Sequence, residues 1–115
     1  MISDVDKQTE ATLVHHLGAF SSVDDILSDY TEDSVLFTPN GPIRGLAGLR
    51  AFFDALTKSA TPELMAAYQM VRQDVGGEIA YIVWKAEPFV PLATDTFVVR
   101  DGKIMAQTFT AYMPA

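Results

Sequence analysis

The chain has 115 residues, 49% of them hydrophobic, enough for one packed core and too apolar for a disordered segment. Eight lysines and arginines against fifteen aspartates and glutamates give a net charge of −7 without any basic cluster, which argues against a nucleic-acid partner. There is no cysteine, which excludes disulfides, a thiolate nucleophile and cysteine-type zinc sites and fits a cytoplasmic location.

The opening stretch, "MISDVDKQTEATL", has two early acids and no apolar core, so it does not read as a signal peptide. Leu13, His16, Leu17 and Phe20 then recur at i, i+3, i+4 and i+7 and predict a first helix, with Ser3 or Asp4 as its cap and Gly18 weakening its end. Ser22, followed by Asp25 three residues on, starts a second short helix that carries Ile26, Leu27 and Tyr30. "SVLFTP" is a strand closed by Pro39, and Asn40-Gly41 centres a turn. "GPIRGLAGLR" reads as a loop into a third helix, whose Leu46, Leu49, Phe53 and Leu56 face the core while Arg50, Asp54 and Lys58 face water.

From Thr61 the period changes to that of strands. "LMAAYQMVRQDV", "EIAYIVWKAEPFV", "DTFVVR" and "KIMAQTFTAYM" are rich in β-formers. Gly76-Gly77 and Asp101-Gly102 supply hairpin turns, and Pro88 with Pro91 marks a break. No apolar run approaches the roughly 20 residues of a membrane span. Helices first and an antiparallel meander last, with no repeat or linker, predict a single α+β domain over residues 1–115.

Two titratable groups fall on faces that are otherwise apolar. With period two, Ala93, Asp95, Phe97 and Val99 share one side of a strand. Thr94, Thr96, Val98 and Arg100 share the other, wetter side, so Asp95 points inward. His16 sits in the apolar stripe of the first helix, whereas His15, about 100° round, meets the polar flank. The functional reading makes His16 and Asp95 an acid–base pair across one cavity, because burial and a charged neighbour push a carboxyl group in opposite directions. The structural reading makes Asp95 a local backbone cap and His16 a satisfied core histidine. Thr38 shares a face with Leu36 and either lines the cavity or simply ends its strand. Tyr30, Trp84 and Tyr112, joined by Phe53 and Phe97 on the apolar faces, are candidate substrate-binding residues for a small, mostly apolar molecule, and each suits a plain core as well. Adjacent histidines cannot present two ligands from one helical face, and no other ligand cluster is visible, so no metal is expected. The sequence holds no G-x-S-x-G, P-loop or G-x-G-x-x-G, and no cofactor is expected either.

The segments "HHLGAFSSVDDILSDYTEDSVLFTPNGPIRGLAGLRAFF", "AYIVWKAE" and "TDTFVVRDGKIMAQTFTAYM" resemble the nuclear transport factor two-like superfamily, and most closely its SnoaL-like and ketosteroid isomerase-like members. The resemblance implies a cone-shaped, cystatin-like α+β fold. Three N-terminal helices would pack in a strongly curved, mostly antiparallel sheet around a ligand cavity. It also implies a homodimer through the outer sheet face. The ketosteroid isomerases pair an aspartate base on the first strand with an oxyanion hole of a helix tyrosine and a late-strand aspartic acid. Asp95 matches the late acid, while the base position falls on Thr38 and the tyrosine on or near His16. The chain therefore departs from orthodox steroid isomerisation. The resemblance implies either proton transfer of isomerase or cyclase type on a small apolar carbonyl or cyclic substrate, or non-catalytic binding of a small apolar metabolite.

Overall fold

The computed structural model describes residues 3–114; Met1, Ile2 and Ala115, which the single-domain expectation includes, lie outside the described residues. Helix α1 spans Asp4–Gly18. The Ser3 hydroxyl accepts a hydrogen bond from the Asp6 amide, and the Asp6 carboxylate accepts one from the Ser3 amide, so the start is capped in both directions. Helix α2, Val23–Leu27, is capped by Ser22 as the spacing predicts, but it ends at Ser28. Tyr30, expected on that helix, instead opens strand β1, Tyr30–Thr38, and pairs with Ile104. A five-residue helix cannot carry its apolar stripe that far, and the parallel partner strand takes the tyrosine over.

Strand β2, Gly41–Arg44, was expected to be loop. Pro42 is tolerated there because β2 is an edge strand. Helix α3 spans Gly45–Ser59 and buries Leu49 and Phe53. A fourth helix, α4, Pro62–Ala67, replaces the beginning of the strand expected from "LMAAYQMV". Thr61 caps α4 through the Leu64 amide, and Pro62 occupies its first turn. The three expected helices are thus present as α1, α2 and α3, and α4 joins them among the described residues.

Strands β3 (Tyr68–Gly76), β4 (Ile79–Ala86), β5 (Val90–Arg100) and β6 (Lys103–Tyr112) form the antiparallel meander. Asp101 and Gly102, both with positive φ, make the β5–β6 turn. The six strands lie in the order β2-β1-β6-β5-β4-β3, antiparallel throughout except where β1 runs parallel to β6. The sheet is curved and unclosed, and the helices fill its concave side. Leu13, Ile26, Leu36, Leu49, Phe53, Phe97 and Ile104 form the main core, and each fully buried aliphatic of this kind stabilises by about 1.5–3 kcal/mol. No described helix is long and apolar enough to cross a membrane.

A candidate active-site cavity

Strand β5 alternates as its sequence predicts: Ala93, Asp95, Phe97 and Val99 are buried, and the residues between them are less so. The register places Asp95 opposite Phe109 and Phe97 opposite Gln107, so all four side chains share the concave face. Trp84 reaches the same face from β4. These groups wall a cavity of about 330 Å³, which α1 and α3 close with His16 and Phe53, and α4 borders with Leu64 and Met65.

Asp95 is 7% exposed and has two donors. Trp84 Nε1–H donates to its Oδ1 at 2.9 Å, and Gln107 Nε2–H donates to its Oδ2 at 2.9 Å. Tyr30 O–H donates in turn to Gln107 Oε1. Burial pushes the Asp95 carboxyl up to about 6, and the two N–H donors, which favour the anion, keep it from rising further. Burial and the Asp95 charge also raise the Tyr68 hydroxyl above its ordinary value.

His16 lines the cavity from α1 and is 4% exposed. Its ring meets the edges or faces of Phe97, Tyr30 and Phe53 at centroid distances of 5.4, 5.8 and 6.1 Å. Burial, with a smaller effect from His15, pushes it down to about 4, so it is neutral at neutral pH. Its Nδ1 is buried without a partner among the described residues. His16 and Asp95 therefore line one cavity from different elements, but they are not joined by a hydrogen bond; Asp95 is oriented by Trp84 and Gln107 instead. His15 lies outside the cavity, with Nδ1 2.8 Å from Asp29 and Nε2 3.1 Å from Asp25.

Of the remaining expected site residues, Phe53, Trp84 and Phe97 line the cavity. Tyr30 is buried one layer behind the wall. Thr38 is not at the cavity: its hydroxyl donates to the Gly41 carbonyl and accepts from the Asn40 amide, locking the β1–β2 turn. Tyr112 is 62% exposed and pairs with the exposed Leu92, so it stands on the convex face. Gln107 was missed, although it carries the same signal as Asp95: a polar residue whose strand neighbours two residues away on either side, Met105 and Phe109, are apolar. Among the described residues no group of His, Asp and Glu converges as a metal site.

A family model of the SnoaL-like domain matches residues 15–107. The chain belongs to the SnoaL-like family. Solved structures support the same fold for this SnoaL-like domain. A nuclear transport factor two-like protein of unknown function from Mesorhizobium loti is 18% identical, with 97% of each chain covered and a TM-score of 0.76. A candidate polyketide cyclase from Sinorhizobium meliloti is 18% identical, covering 86% of this chain and 93% of its own, with a TM-score of 0.69. A candidate ketosteroid isomerase from Kribbella flavida is 16% identical, covering 96% and 84%, with a TM-score of 0.69. No curated protein matches the chain.

Proposed function

We propose that this SnoaL-like domain catalyses proton transfer on a small, apolar carbonyl or cyclic substrate, with Asp95 as the group that takes up and returns the proton. One observation carries the reading. A single carboxyl group, raised to about 6 by burial, stands in an aromatic cavity with both oxygens oriented by N–H donors. A base is most useful when its proton affinity lies near the working pH, and general base catalysis contributes about 10²–10⁴-fold in rate. His16, neutral and otherwise unpartnered, is the second polar group at hand for the substrate. Orthodox steroid isomerisation is not part of the proposal, because Thr38 cannot serve as a base and its hydroxyl is engaged in a turn. The protein acts as a homodimer in this proposal, joined through the convex sheet face.

The test uses 2-tetralone, a two-ring ketone with an acidic α-C–H, incubated with the protein in D₂O and followed by NMR. Wild type is expected to accelerate α-hydrogen exchange, and Asp95→Asn to lose about 10²-fold or more of that acceleration. Exchange undiminished in Asp95→Asn refutes the assignment. A second reading, non-catalytic binding of a small apolar metabolite, is favoured by the absence of a His16–Asp95 hydrogen bond among the described residues. Binding of 2-tetralone without any exchange would select it.

A further inference from the structure

Tyr30 does not line the cavity, yet its hydroxyl is committed to the one amide that faces Asp95. That amide has two unlike ends, and which end meets the carboxyl group decides whether Asp95 accepts or donates. A phenol donates better than it accepts, because its oxygen lone pair is delocalised into the ring. Tyr30 is buried against the rings of His16 and Phe53, and Gln107 Oε1 is its side-chain partner. The hydroxyl therefore draws Oε1 toward itself and turns Nε2 toward Asp95. Trp84 Nε1–H can only donate. Both carboxyl oxygens thus receive N–H groups, and their remaining lone pairs are left to accept from whatever enters.

The charge of the cavity points the same way. No lysine or arginine lines it. The titratable groups that face Asp95 are His16 from α1, Tyr30 from β1 and Tyr68 from β3, and none of them supplies a cation at neutral pH. An anionic ligand would meet a carboxylate with nothing to offset it, in surroundings where charges are poorly screened. A ligand that turns only an acceptor atom toward the carboxyl group would oppose its lone pairs to those of Asp95, whereas a ketone that presents its α-C–H there does not.

We propose that Tyr30, acting through Gln107 as a positioning residue, makes Asp95 a hydrogen-bond acceptor, so that the cavity selects uncharged ring compounds bearing a hydroxyl or N–H over matching ethers and carboxylates. The enol of a cyclic ketone belongs to the selected class. The inference rests on the cavity being the ligand site, as in the function proposed above, and is independent of turnover.

Three two-ring probes, 2-naphthol, 2-methoxynaphthalene and 2-naphthoate, are compared by calorimetry at about pH 8, where Asp95 is ionised. The naphthol is expected to bind roughly tenfold or more tightly than the ether, and the naphthoate not to bind. Tyr30→Phe is expected to erase most of that preference. It should also raise the proton affinity of Asp95 roughly tenfold, read from the carboxyl ¹³C shift, because the amide is then free to turn its oxygen inward. If the single variant fails to fold, Tyr30→Phe/Gln107→Leu removes both partners and takes the N–H donor from Asp95 Oδ2, so the proton affinity of Asp95 should again rise. Ether or naphthoate binding as tightly as naphthol overturns the inference and leaves the cavity reading intact. So does a full naphthol preference and an unmoved Asp95 titration in the variant that folds. If none of the three binds, the ligand-cavity reading falls, and this inference with it.

Discussion

His15 and His16 are adjacent in the chain, and α1 rotates them into opposite surroundings. The Asp29 hydrogen bond and charge, then those of Asp25, raise the His15 pKa above 6.5, outweighing desolvation. Asp29 is itself raised, because its burial outweighs the pull of His15. A raised histidine stabilises the fold fully below its unfolded value of 6.5, and that contribution fades as pH rises through the folded value. Replacing His15 with Gln should therefore lower the melting temperature most below pH 6.5, with the gap closing on the alkaline side. His16 has the opposite sign. Its folded pKa of about 4 means that the unfolded chain binds a proton the native one refuses. Stability should fall by about 3 kcal/mol as pH drops from 6.5 to 4. Asp95, raised from 3.8 to about 6, loses a similar amount as pH climbs over nearly the same window. The two slopes oppose each other, so wild-type stability should be nearly flat between pH 4 and 6. Urea unfolding across that range should slope upward with pH in Asp95→Asn and downward in His16→Phe. Equal slopes in the two variants would contradict the burial of one group or the other. The faces of these residues were legible from two periods, 3.6 for the histidines and 2 for Asp95. Their partners were not, because Asp29, Trp84 and Gln107 reach them across elements whose packing no local pattern encodes.

Among the elements, α4 differs most from its sequence expectation, and it borders the cavity. "LMAAYQMV" is apolar enough to pass for a strand, yet Thr61-Pro62-Glu63 ahead of it is a helix start, with a hydroxyl cap, proline in the first turn and an early acid. Composition outweighed that signal, and β2 was lost for the converse reason, its glycine and proline hiding an edge strand. The helix buries no residue completely; Leu64 and Ala67 pack against the small cluster of Ala86, Val90 and Ala93, and Met65 stands 47% exposed. An element with so little buried surface opens at low cost. The amides of α4 should exchange with solvent well before those of β5 and β6 in hydrogen-exchange measurements. Leu64→Ala should speed α4 exchange further with only a minor loss of global stability, whereas Leu49→Ala in the main core should cost about 2–5 kcal/mol. Protection of α4 equal to that of β5 would show that it is a fixed wall and not the yielding side of the cavity.

For the whole molecule, the meander and its hairpins followed from alternation and turn residues, while the curvature that makes a cavity did not. Alternation says which side chains share a face and is silent on how tightly that face wraps. The convex face raises the same issue from outside. The pairing register runs Phe37, Thr108, Thr96 and Tyr81 in one row across β1, β6, β5 and β4, with Leu92 and Tyr112 paired beside it. Phe37, Tyr81, Leu92 and Tyr112 are 37–62% exposed, large apolar side chains set among threonines on the convex face and a poor surface for a solitary monomer. A standard interface takes about 800 Å² from each partner, roughly an eighth of the 6728 Å² accessible here, and the row spans four of the six strands. A second copy meeting this face about a twofold axis would cover the patch with its own. Sedimentation velocity should accordingly give a dimer for wild type and a monomer for Phe37→Glu/Tyr81→Glu, with unchanged circular dichroism in both. Because the patch lies on the side of the sheet opposite Asp95, the monomeric variant should still bind 2-naphthol. A wild-type monomer would remove the dimer from the proposal, and loss of binding on dissociation would show that the partner helps hold the sheet in its curved form.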